Sequence, residues 1–202
     1  MKKAKVWWAL ALAGAVGGCY TIGGGDFVRP PQDQLQLGRS SDRNVLAAIN
    51  GTGTITRVQR NGATIECHKF LNYGGEGWAI GRGSLAGGSV GHELSVCFTS
   101  GVLVGYVYSS NRSADATNFD VDKARTIEKG RMTGGQVIAL LGKPSGSAIY
   151  PLADNRGGGE LRYSFTGFEG TVVGNRVSKD VTVVVDANDI VTDVQIKTGK
   201  PE

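Results

Sequence analysis

Chemistry-bearing side chains are scarce in this chain of 202 residues, which has two histidines, three cysteines, two methionines and five prolines. His68 and His92 show none of the Cys/His/Asp spacings of a metal site, and each reads as a solvent-facing strand or loop residue. No catalytic constellation can be assembled, so neither an enzyme nor a cofactor is expected. Long apolar runs are missing as well. Residues 6–18 span 13 positions, short of the ~20 apolar residues a helix needs to cross a bilayer. Basic clusters are also absent beyond the first few residues. Taking Lys2, Lys3 and Lys5 out of the formal net charge of +4 leaves +1, and with no basic stripe to track phosphates, nucleic acid is not an expected partner. Gly81-Arg82-Gly83-Ser84-Leu85-Ala86 spells a dinucleotide-type GxGxxA, but no apolar strand feeds it, so it reads as a glycine-rich hairpin loop.

What is present begins at the N-terminus. Met1-Lys2-Lys3-Ala4-Lys5 is followed by an apolar core and then by Val16-Gly17-Gly18-Cys19. A basic start, a short apolar stretch and small residues at the cleavage point are the anatomy of an export signal, and the cysteine after them resembles a lipobox. Residues 1–18 are therefore expected to be removed and Cys19 to be lipidated, with residues 19–30 as a tether. Three acyl chains on one cysteine would hold firmly where one holds only marginally. Tyr20 is not the aspartate that retains enterobacterial lipoproteins at the inner membrane. The expected location is the outer membrane, lipid-anchored and facing the periplasm.

Glycine is plentiful, at 32 residues, roughly twice the usual share of about 7%. Much of it clusters between apolar alternating segments, as strand-rich proteins arrange it. The chain also resembles itself. Residues 38–50 match 130–142 at an offset of 92, and residues 94–104 match 181–191 at an offset of 87. Each copy opens with a glycine, Gly38 or Gly130, that can end a short helix over residues 32–37 or 120–129. A second helix then starts at Ser41 or at Thr133, where Gln136 three residues on completes the spacing of a capping box. Strands are predicted over 64–70, 94–99 and 102–108, and again over 160–165, 181–186 and 190–197. The expected fold class is α+β, with two tandem repeats at 31–110 and 118–199, each a short helix pair packed on an antiparallel sheet. Cys67 and Cys97 remain once Cys19 is set aside. In an oxidising compartment an even remainder pairs, the competing reading being two buried thiols.

Ile127-Glu128-Lys129-Gly130-Arg131-Met132-Thr133, then Gln136-Val137, Leu140-Leu141-Gly142 and Pro144, with Asp186-Ala187-Asn188-Asp189-Ile190-Val191 near the end, resemble the BamE (SmpA/OmlA) family over residues 120–197. The tandem arrangement is similar to the β-lactamase inhibitory protein. The first resemblance implies an outer-membrane lipoprotein that binds envelope proteins, among them the barrel-assembly machine, in outer-membrane protein assembly or envelope integrity. The second implies an inhibitor that grips a periplasmic hydrolase with the open face of its sheet. The repeat pairs Tyr106 and Tyr108 with Asp193 and Gln195, which places both tyrosines either on an exposed contact patch or at the junction between copies. Trp78, in a loop made largely of glycine, reads either as a third partner-binding residue or as a side chain folded back on its own domain.

Overall fold

Two short helices are set by their first residues. The Ser41 hydroxyl accepts the Asn44 N–H at 3.3 Å and opens α1, Asp42–Ile49, which ends on Asn50 in the left-handed region. Thr133 and Gln136 form the reciprocal capping box that opens α3, Gly134–Leu141, which ends on Gly142. The segments before them are cut short. The first is a 3-10 turn, Gln32–Gln34, and the second is α2, Val121–Ala124, capped by Asp120. Downstream of each, the backbone is drawn onto a strand, where Gly38 N–H bonds Leu103 O and Gly130 N–H bonds Val191 O. A helix cannot continue through such a bond.

The computed structural model describes residues 25–75, 89–169 and 175–199. Its strands are β1 (Thr54–Arg60), β2 (Ala63–Gly75), β3 (Ser89–Thr99), β4 (Val102–Ser110), β5 (Gly146–Ile149), β6 (Gly159–Glu169), β7 (Asn175–Val185) and β8 (Val191–Gly199). They form one eight-stranded antiparallel sheet in the order of the sequence. This overturns the expected two helix-pair repeats: among the described residues the fold is predominantly β, with three short helices. The joint is β4 against β5, where Gly105, Tyr106 and Val107 pair with Ala148, Ser147 and Gly146. Glycine makes that approach possible. A Cβ on Gly146 would sit 2.1 Å from the Tyr106 carbonyl oxygen, and one on Gly105 would sit 2.3 Å from Leu152. Ser145 extends the joint by accepting the Tyr108 N–H at its carbonyl, while its hydroxyl donates to Arg162 O and accepts from Ser164 N–H.

The helices cover one face of the sheet. Val45 and Ile49 of α1 pack on Phe70, Leu94, Val96, Phe98, Tyr106 and Tyr108, and Val137 of α3 packs among Tyr163, Phe165, Val181, Val183 and Val191. The other face carries a smaller cluster in which Leu152 and Ala153, folded back after β5, cover Ile65, Cys97 and Val104. Cys67 and Cys97 stand directly opposite each other in the β2–β3 register and are joined by a disulfide.

The sheet is strongly curled. Eight strands at about 4.8 Å spacing would put the two outer ones roughly 34 Å apart if flat. Yet Arg60 at the end of β1 and Gln195 of β8 line the same small cavity. The helix-free face is therefore the inside of a trough. Asn61, in the turn after β1, ties one end of it by donating to the carbonyls of Pro151 and Ala153.

Candidate functional site

Alternation along the strands decides what lines the trough. On β6 the residues facing away from the helices are Glu160, Arg162 and Ser164, on β7 they are Asp180, Thr182 and Val184, and on β8 they are Asp193, Gln195 and Lys197. A depression of about 360 Å3 lies among Glu93, Val107, Arg162, Ser164, Asp180, Thr182, Gln195 and Lys197. A second, of about 160 Å3, continues it towards Arg60, Asp154 and Glu160. Arg162, Thr182 and Gln195 belong to both and mark the midline.

The charges in the trough are balanced by their neighbours. Arg162 bonds Glu160 at 2.6 Å, with the Glu160 side chain only 8% exposed. Arg60 pairs with Asp154 at 3.0 Å, and Lys69 pairs with Glu93 at 2.9 Å. Asp180 accepts hydrogen bonds from Ser164 and Ser178 and stands opposite Lys197 in register. The Arg60 guanidinium, helped by the Asn61 amide, holds the Asp154 carboxyl below the usual carboxylate range. Both cavities carry two cationic and two anionic side chains. Such a surface attracts neither a polyanion nor a simple ion; it suits a partner that brings a matching mosaic.

The tyrosines expected on this face are elsewhere. Tyr106 and Tyr108 are 7% and 1% exposed and lie in the core beneath α1. The reason is one residue of loop. Phe98 pairs with Leu103, leaving four residues between them, whereas Val185 pairs with Val191, leaving five. Past that turn Tyr106 corresponds to Val194 and Tyr108 to Ile196, and a slip of one position exchanges the faces of a strand. The histidines are not solvent-facing either. His92 is 8% exposed, and the His68 side chain, 12% exposed, contacts Glu66 at 2.8 Å. His68 and Arg57 together hold the Glu66 carboxyl low. Cys67 and Cys97 are bonded as expected. Cys19 and Trp78 lie outside the described residues.

Simple alternation along β7 and β8 puts Thr182, Asp193 and Gln195 away from the helices, whereas that pattern marks neither Arg162 and Glu160 nor the contribution of β1. The signal for β1 was Asn61-Gly62, a two-residue pair with positive φ at both positions, which is the preferred chemistry of a tight hairpin. Compared with family models, with curated proteins and with solved structures, the chain matches none.

Proposed function

We propose that this chain is a lipid-anchored envelope protein that holds a partner protein in the trough of its sheet, as an accessory in outer-membrane protein assembly or envelope integrity. The observation that carries the reading is the trough itself: a helix-free concave face crossing β3 to β8, polar along its midline and balanced in charge. Among the described residues the helices occupy the opposite face, and the part of this one beyond Leu152 and Ala153 is open to contact. The N-terminal pattern ending at Cys19 and the residues resembling the BamE family supply the location and the class of partner. A photo-crosslinker placed at Thr182 or Gln195 in cells should give adducts with outer-membrane barrel-assembly subunits. Adducts from the helix face alone would reject the trough.

A second reading is favoured by the continuity of the sheet. One surface spanning both halves can surround a projecting loop more fully than two separate sheets could, which is how an inhibitor of a periplasmic hydrolase would act. In that case the same crosslinks recover a hydrolase, and soluble protein from residue 20 onward blocks it at equimolar ratio.

A further inference from the structure

The described chain begins with a segment that has no secondary structure of its own yet lies against the sheet. Phe27 is 7% exposed, with its ring centroid 4.4 Å from that of His92 and 5.9 Å from that of Phe70. Val28 N–H bonds Ile49 O at 2.8 Å. The Asp26 carboxylate accepts from the Asn72 amide, and the Arg29 guanidinium lies 4.1 Å from the centre of the Tyr108 ring.

Beneath the segment, a chain of hydrogen bonds fixes the state of His92. The Tyr108 hydroxyl has one proton and donates it to Asp115. Its contact with His92 Nδ1, at 2.9 Å, must therefore be a bond donated by the imidazole. That leaves Nε2 as the bare nitrogen, and it is buried with no hydrogen-bond partner among the described residues. A proton added there would become a buried N–H with no acceptor. Asp115 is the anion with the stronger pull on the ring, but it is already engaged by Tyr108 and by Ser110 at 2.6 Å. Asp26, from the segment, is taken up by Asn72, whose own oxygen accepts from Arg112 at 3.1 Å. Arg112 and Arg29 are cationic and oppose a further positive charge. Tyr108 is the remaining titratable neighbour and stays neutral, since burial lifts its hydroxyl to about 12.

We infer that His92 is a proton-operated latch: protonation at Nε2 frees residues 25–30 from the sheet while the sheet itself stays folded. The segment opens first because, among the described residues, a single backbone bond and a few side chains hold it, and such regions have the lowest opening free energies. Burial, reinforced by Arg112, keeps the His92 imidazole below its ordinary value against the opposing pull of Asp115 and Asp26. The sign follows from that direction. The latch is complete above the free imidazole value of about 6.5 and weakens as the pH falls below it. Given the lipid-anchor reading, on which this consequence alone rests, six freed residues at about 3.5 Å each add roughly 20 Å to the reach of the tether.

Hydrogen exchange of the mature chain, corrected for intrinsic rates and followed from pH 7.5 to 5.0, tests the latch. Protection of the Val28 amide should fall by up to about tenfold per pH unit below 6.5, while β3 and β4 keep theirs. In His92→Gln the pH dependence should vanish, and Phe27→Ala should free the segment already at pH 7.5. Protection that ignores pH in the wild type, pH dependence that survives in His92→Gln, or loss in step with β3 and β4 would each overturn the proposal. If His92→Gln fails to fold, the wild-type profile and Phe27→Ala decide. Mass spectrometry of the N-terminus tests the anchor separately, because an unacylated Cys19 removes the reach argument and leaves the latch.

Discussion

Tyr108 joins packing and polar order in one side chain. Its ring is in the core, while its hydroxyl connects His92 to Asp115. Burial works against the charge on Asp115, but the Ser110 and Tyr108 hydroxyls outweigh it and hold the carboxyl below its usual range. Tyr108→Phe keeps the ring and leaves both neighbours short of a partner, so we expect a loss of about 1–3 kcal/mol. Urea denaturation should show it as a lower midpoint at unchanged slope. At this scale the sequence was legible only where the register was. Simple alternation suffices to put Thr182 and Gln195 on the face away from the helices, because β7 and β8 are regular at those points. Tyr106 and Tyr108 were placed on the wrong face because the alignment carried one offset through a hairpin whose two versions differ by a residue. Such a difference costs almost nothing in composition and everything in direction.

The helix starts were readable at the scale of the element because capping chemistry is local. Ser41, Thr133 and Gln136 do in the structure what their spacing requires. Thr133→Ala should cost about 1 kcal/mol, seen as a lower thermal midpoint. The longer first helices were not there, since the hydrogen bonds that draw Gly38 and Gly130 onto strands are tertiary. β1 is illegible in the sequence for the opposite reason. Every residue in it is exposed, so no apolar alternation marks it, and β5 is only four residues long. The disulfide also belongs to this scale, as it clamps β2 to β3 across a separation of 30 residues. Cys67→Ser with Cys97→Ser should cost roughly 3–4 kcal/mol on the chain-entropy estimate, measurable by chemical denaturation against the oxidised protein.

Over the whole molecule, the three residue pairs between β4 and β5 make one trough of what would otherwise be two surfaces. Gly146→Ala forces a methyl group into the Tyr106 carbonyl. It should cost about 1–3 kcal/mol, the usual range for overpacking, and weaken partner binding together with stability. Thr182→Arg with Gln195→Arg fills the midline instead. That pair should abolish co-purification of the partner with the protein while the thermal midpoint stays nearly unchanged, since surface substitutions away from special features move stability by only about ±0.5 kcal/mol.

The order of the strands has a consequence for how the molecule is made. Each strand pairs with the one before it in the chain, so nothing synthesised early must wait for the C-terminus to find its neighbour. The sheet can grow strand by strand while the rest of the polypeptide is still being delivered, the long connection being the one that carries α2 and α3 from Ser110 to Gly146. A chain paused after Ser110 would already hold four paired strands, the bridge between Cys67 and Cys97 and a helix to cover them. Its exposed margin would then be the template on which the next strand is laid.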